Sequence, residues 1–299
     1  MSRTYTLIKR NLNLYLRDKA AVFFSFLSTL IVVALYFLFI AKVYSEGMDN
    51  PDAGGIAMSL DSKAKNFIIY LQMIAGVLVL NSISLATGVF SNVAKDFENK
   101  CIDGLMLSPV KIHEIIFGYL AAGFAASFCI NVITLLLSML IIGIATGFWL
   151  AVGTLLMAVV VLLAASFVAC SVMFLITAII KSSTAIGVIN GVLGTFLGFL
   201  CGVYMPYSNL GEGATAVGSF LPFSHITIWL KQTVLNDAFG QLAIPDGAKE
   251  VLFADYFSAQ SIGFCNLPAP LWLMVLLAGL FGVLCLLFSW FVLKKRIKR

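Results

Sequence analysis

Two histidines, six cysteines and fourteen carboxylates are the groups able to carry acid–base, nucleophilic or metal chemistry. Their spacing offers little of it. His113 and His225 fall on opposite sides of the topology derived below, with no second ligand at helical spacing, so neither makes a metal centre or an acid–base pair. They read as ordinary interfacial histidines. The cysteines form no CxxC pair and mostly occupy apolar runs, which rules out a disulfide framework or a zinc module. Ser166 and Ser171 lack a nucleophile motif and are expected to bond to backbone carbonyls. No GxxxxGK[ST] loop occurs, so the sequence contains no phosphate cradle for ATP. An intramembrane hydrolase would need a buried acid, histidine or metal set, and none is visible.

These groups sit in a chain built for another solvent. Of 299 residues, 61% are hydrophobic and 11% charged, whereas roughly a quarter are charged in an ordinary soluble chain. Nineteen basic and fourteen acidic side chains cannot cover a soluble globule of this size. Most of the chain must therefore lie in lipid. Its uncharged runs can each cross a hydrocarbon core about 30 Å thick, which takes about 20 helical residues. The run from Ile115 to Ile180 is too long for one span; Gly143, Thr146, Gly147 and Trp149 interrupt it where a short turn and an interfacial tryptophan fit. Six spans are expected, at about 20–41, 67–90, 115–142, 150–180, 184–204 and 270–293, within a single transmembrane domain over 1–299. The first is too long, and lacks the small-residue cleavage site, for a secretory signal, so it reads as a retained anchor.

Charge sets the orientation. Fourteen of the nineteen basic residues fall on the side of both termini and of the 95–114 and Lys181 loops, while nine of the fourteen acids fall on the other side. The positive-inside rule then places both termini in the cytoplasm. The net charge of +5 is thus topological, and a nucleic-acid partner loses its support. No span interior holds an ionised residue, although ion-coupled carriers place one there despite a cost of roughly 3 kcal/mol or more. This argues against a proton- or sodium-driven carrier and for an apolar or amphipathic substrate.

The loops supply the patterns that position function. Before the first span, Leu7, Ile8, Leu12 and Tyr15 recur at helical spacing while Lys9, Arg10, Asn13 and Arg17 take other faces. This suits either an interfacial amphipathic helix on anionic lipid or a basic flank that only sets topology. Between spans two and three, Phe97, Cys101, Ile102, Leu105 and Met106 follow one helical face, with Asp96, Glu98, Lys100 and Asp103 elsewhere. A short amphipathic helix is expected, stopped by Pro109, which disfavours helical geometry at Ser108. Its apolar stripe needs a cover, either the bilayer surface and neighbouring helix ends or a groove on a cytoplasmic partner. The outer segment 205–267 has two apolar stretches too short to cross, separated by Pro222, with Ser224 a candidate cap for the second; a re-entrant hairpin is expected.

The order of an acidic residue, a short amphipathic helix, Leu105-Met106-Leu107-Ser108-Pro109-Val110, then Glu114 and Gly118, resembles the permease subunits of ABC-2 type ABC exporters. So does Gly202-Val203-Tyr204-Met205-Pro206, followed by Leu221-Pro222-Phe223-Ser224 and by Lys231 nine residues after that proline. Departures are Lys100-Cys101, where many members carry Gly-Thr, and Lys231, where arginine is usual. The resemblance implies an all-α integral membrane protein with six transmembrane helices and the N-terminal interfacial helix. It also implies a cytoplasmic coupling helix seated in an ATPase cleft, through Asp96, Phe97, Glu98, Ile102, Asp103, Leu105, Met106, Ser108 and Pro109, and an external hairpin. ATP and Mg would be bound by two separate ATPase subunits and no cofactor by this chain. A homodimer or heterodimer of permeases in a bacterial cytoplasmic membrane is implied as well.

Two patterns within the spans bear on the route and the dimer. Gly187, Gly191, Gly194, Gly198 and Gly202 repeat at steps of four, three, four and four along span five, a groove of minimal side chains that another helix can approach closely. It serves either packing within the bundle or the dimer axis beside the translocation path. Ser127, Asn131, Thr134 and Ser138 share a face of span three and are expected to turn inward; Asn81, Ser84 and Gly88 share a face of span two and are candidates to line the substrate route. The reading is a permease exporting an amphipathic drug, peptide or lipid-linked molecule. Its rivals are an ATP-independent carrier or channel, and a non-transporting membrane sensor or immunity protein.

Overall fold

The longest helix is apolar on nearly every side, and this decides its place. In a computed structural model, which describes residues 3–19, 22–23, 60–107, 110–180, 182–207, 210–260 and 270–297, helix α2 (Ser62–Glu98) runs for 37 residues. Its charges are confined to the ends, and 94% of its most apolar stretch is buried. A helix without a polar face must be enclosed. Among the described residues, four helices enclose α2: α4 (Ile112–Thr146), α5 (Val152–Ile180), α6 (Ser183–Leu200) and α8 (Pro222–Gln241). The amphipathic α1 (Arg3–Arg17) packs along α4 and touches α2, while α10 (Leu271–Ile297) packs on α5 and α8. The short helices are α3 (Cys101–Leu107), α7 (Glu212–Ser219) and α9 (Asp246–Val251), the last running into a π turn at Leu252–Tyr256.

Five helices among the described residues, α2, α4, α5, α6 and α10, are long and apolar enough to cross a membrane. The expected first span, 20–41, lies outside the described residues apart from Val22 and Phe23. Helices α2 and α4 overrun the spans expected at 67–90 and 115–142 at both ends, because helical hydrogen bonding continues after the apolar run stops. The span expected to reach residue 204 ends instead at Leu200. There Gly202 takes φ +63, and the Val203 and Tyr204 amides both return to the Gly198 carbonyl at 3.1 and 3.0 Å. Val203 then packs so closely on Gly76 that a Cβ at 76 would stand 2.7 Å from it. The break between α4 and α5 falls at the expected place, with Gly147 at φ +83 as a left-handed cap.

The bundle has two distinguishable ends. One carries α1, the α2–α3–α4 connection, the start of α6 and the close of α10; it is the basic end. The other carries the α4–α5 turn and the α7–α8 hairpin. At that end the turn is latched to α8: the Ala151 amide donates to Asp237 at 2.8 Å and Gln241 to the Trp149 carbonyl at 3.0 Å.

Candidate functional site

At the basic end, three of the expected coupling residues belong to the last turn of α2 rather than to a separate helix. Asn99 ends α2, and Lys100, at φ +56, breaks the continuous stripe that the spacing predicts. A lysine rarely adopts this left-handed geometry and a glycine does so freely. Helix α3 then turns Ile102 inward, 5% exposed, while Cys101 and Gly104 are exposed and Leu107 stands 91% exposed at its tip. Phe97 packs partly buried on the core. Asp103, Leu105 and Met106 contribute backbone to α3; their side chains, and Ser108 and Pro109 entirely, lie outside the described residues.

Asp96 faces into the protein. Its carboxylate accepts from both guanidinium nitrogens of Arg10, at 3.1 Å each, and from the Tyr119 hydroxyl at 2.7 Å. One carboxylate therefore joins α1, α2 and α4. The pairing is charge-assisted and two-pronged, which fixes orientation as well as distance. Packing supports it: Tyr15 of α1 is wholly buried over Gly88, and Leu7 lies over Gly118, where Cβ atoms would stand 3.1 and 2.9 Å from them. The apolar stripe of α1 is thus covered largely by protein. Gly88, a candidate for the substrate route, sits beneath this helix. Arg10 and Tyr119 carry no signal in the sequence, since 86 and 23 residues separate them from Asp96.

Glu98 does a second job at the same end. Its two oxygens accept from the Ser183 amide and hydroxyl, each at 2.9 Å, so it caps the first turn of α6. These donors hold its carboxyl below the usual carboxylate range. Two turns on, α6 is tied to α2 again by the Thr87 hydroxyl, 3.0 Å from the Asn190 amide oxygen.

Deeper in the bundle, the four polar residues expected to turn inward on α4 do so: Ser127, Asn131, Thr134 and Ser138 are all buried. Asn131 donates to Ser82 at 2.7 Å and to the Leu78 carbonyl at 3.1 Å, and Asn81 reaches Asn131 at 3.4 Å. Asn81 is therefore part of a knot between α2 and α4, with Ser84 half-buried one turn on. Ser171 bonds to the Phe167 carbonyl at 2.7 Å as expected, whereas the buried Ser166 hydroxyl finds no partner among the described residues.

The glycine stripe of α6 divides in two. Cβ atoms at Gly187, Gly191 and Gly194 would meet nothing within 4 Å, while one at Gly198 would collide with the Tyr204 ring. The lower three face open space along a helix of which 17% of the span is buried; the upper part receives the chain as it turns back.

At the hairpin end, Leu221 precedes α8 and Pro222 opens it, a position where a missing amide costs nothing. Ser224 is therefore inside the helix and not its cap; its hydroxyl lies 3.4 Å from the Leu200 carbonyl. Lys231 is wholly buried and donates to the Gly202 and Phe257 carbonyls, 2.6 Å each. It pins the exit of α6, past which Pro206 leads, to α8 and the π turn. His225 lies 2.8 Å from the Ser219 carbonyl and fixes the corner between α7 and α8.

Among the described residues no group of three metal-ligating side chains could hold an ion. What these ends can do is mechanical: one hangs a short exposed helix on a charged joint, the other braces a hairpin. A family model described as "ABC-2 family transporter protein" matches residues 55–291, most of the chain. The chain belongs to that family. No curated protein matches it. It is accordingly a multi-pass membrane protein and a permease of an ABC transporter, a transport component rather than an enzyme. Permeases of this family generally work with ABC ATPase subunits.

Proposed function

We propose that this permease is the membrane-spanning half of an ATP-driven exporter, with its basic end in the cytoplasm and α3 as the helix that receives work from a separate ATPase. Two ATPase copies bind ATP and Mg; this chain lines the path for an amphipathic compound, whether drug, peptide or lipid-linked molecule. The observation that carries the reading is the mounting of α3. Ile102 anchors it, Leu107 projects from it, and the turn of α2 just before it is locked through Asp96 to α1 and α4. A push on the projecting tip is delivered to three helices at once. Ile102 and Phe97 are occupied within the chain, so Leu107 is the surface offered to a cleft. The open glycine face of α6 supports a second permease copy beside the path, because small residues allow close helix approach in lipid.

Replacing Leu105 and Met106 together by aspartate tests this. ATP hydrolysis by the assembled complex should continue and membrane insertion should be normal, while transport falls more than about tenfold, since two charges cannot enter an apolar cleft without a partner. Transport at the wild-type rate would remove α3 from the coupling path.

A further inference from the structure

Two apolar grooves of nearly equal size open along α10. One, about 460 Å³, lies near its start against the hairpin; the other, about 470 Å³, lies near its end against the first turns of α4. Both fall in the range of small-molecule pockets, and each has a histidine in its wall. They differ in charge. In the hairpin groove His225 is 4% exposed and its imidazole is engaged by the Ser219 carbonyl, and no lysine or arginine is among the described residues of the wall. In the groove at the basic end His113 is exposed, and Trp290 in the wall carries the Lys294 ammonium 4.6 Å from its ring centroid. That cation–π contact keeps a positive charge at the rim of an otherwise apolar wall. Lys295 is exposed next to it, and Arg296, Lys298 and Arg299 follow in the sequence. Such basic clusters at the end of a span attract anionic headgroups.

We propose that the groove between α4 and α10 is a binding site for one anionic phospholipid. Its acyl chain lies along Phe117, Leu120, Leu286 and Leu287, and its phosphate meets Lys294 and His113. The argument is charge complementarity at the correct height. An unselective lipid contact needs only the apolar wall, whereas here the indole and the ammonium mark the level where a headgroup sits once its chain fills the groove. Beyond His113 and Trp290 the described lining is wholly apolar, as an acyl chain requires. The proposal needs membrane immersion only and stands apart from the coupling role of α3.

The full-length permease with its ATPase, purified in mild detergent, is incubated with phosphatidylglycerol or with phosphatidylcholine of the same acyl chains, and retained lipid is counted by native mass spectrometry. The expected result is retention of phosphatidylglycerol over phosphatidylcholine by about fivefold, the discrimination one lysine near a membrane surface supplies. Lys294→Ala should bring that preference close to parity, Leu287→Trp should lower retention of both lipids by filling the groove, and Lys9→Ala, on α1, should leave the preference intact. Equal retention of the two lipids by the unaltered protein overturns the proposal. So does a preference that survives both Lys294→Ala and Leu287→Trp, or one that Lys9→Ala reduces as much as Lys294→Ala.

Discussion

At the basic end, Asp96 meets an Arg10 side chain that is 34% exposed, and Glu98 meets Ser183 in the open; at the hairpin end, Lys231 meets two carbonyls with no exposure at all. The same kinds of atom serve both joints, but their surroundings differ. Solvent near a charge pair weakens it and lets it exchange partners, whereas a buried donor has no alternative partner and resists opening. The joint at the basic end is thus the more easily opened of the two, and the joint that braces the hairpin is the more resistant. Position follows from this: helix tips at an interface can use charge, and a chain turning back through apolar packing cannot leave a carbonyl unmet.

The contrast can be broken by experiment. Lys231→Met should have the largest effect, because it removes the buried amine that donates to both the Gly202 and Phe257 carbonyls, a loss of about 3 kcal/mol. Limited proteolysis should then cut between residues 205 and 260 faster than in the parent; equal cutting would mean the hairpin is not held by this amine. Asp96→Asn should cost about 2 kcal/mol of α1 docking, since the two-pronged charge pairing is lost. Hydrogen exchange should quicken in α1 while α8 stays protected, and quickening in both helices would show that the two ends are not mechanically separate.

Smaller effects sharpen the picture. Lys100→Gly should stabilise the α2–α3 turn by about 1 kcal/mol, because glycine takes φ +56 without strain. A drop in the thermal midpoint would count against the strained turn. The tie from Glu98 to Ser183 is the weakest and depends on pH. Its carboxyl is held below the ordinary value in the folded protein, so its contribution is complete above the unfolded value and disappears as the pH falls through the folded one. Protection of the Ser183 amide, corrected for intrinsic exchange, should follow that course and should lose its pH dependence in Glu98→Gln.

Much of this architecture could be read from local pattern. The long apolar runs mark α2, α4, α5, α6 and α10 because immersion in lipid requires unbroken helical hydrogen bonding over about 20 residues. The inward face of α4 follows from Ser127, Asn131, Thr134 and Ser138 recurring at helical spacing. Gly147 marks the turn between α4 and α5 for the same local reason. The stripe from Phe97 to Met106 misled at one point, since periodicity counts side chains and is blind to a backbone break at Lys100.

Partners distant along the chain were beyond such reading. The sequence by itself determined that the protein lies in lipid, which end is basic, and where an exposed amphipathic turn interrupts the helices, since each depends on composition or on neighbours within a few residues. Only the tertiary structure decided that Asp96 joins α1 to α4, that Gly88 lies beneath Tyr15, that Lys231 is buried on two carbonyls, and that the α6 glycines part into an open face and a packed one. These depend on which helices pack together, and that is chosen by the shape and polarity of whole helix faces at once.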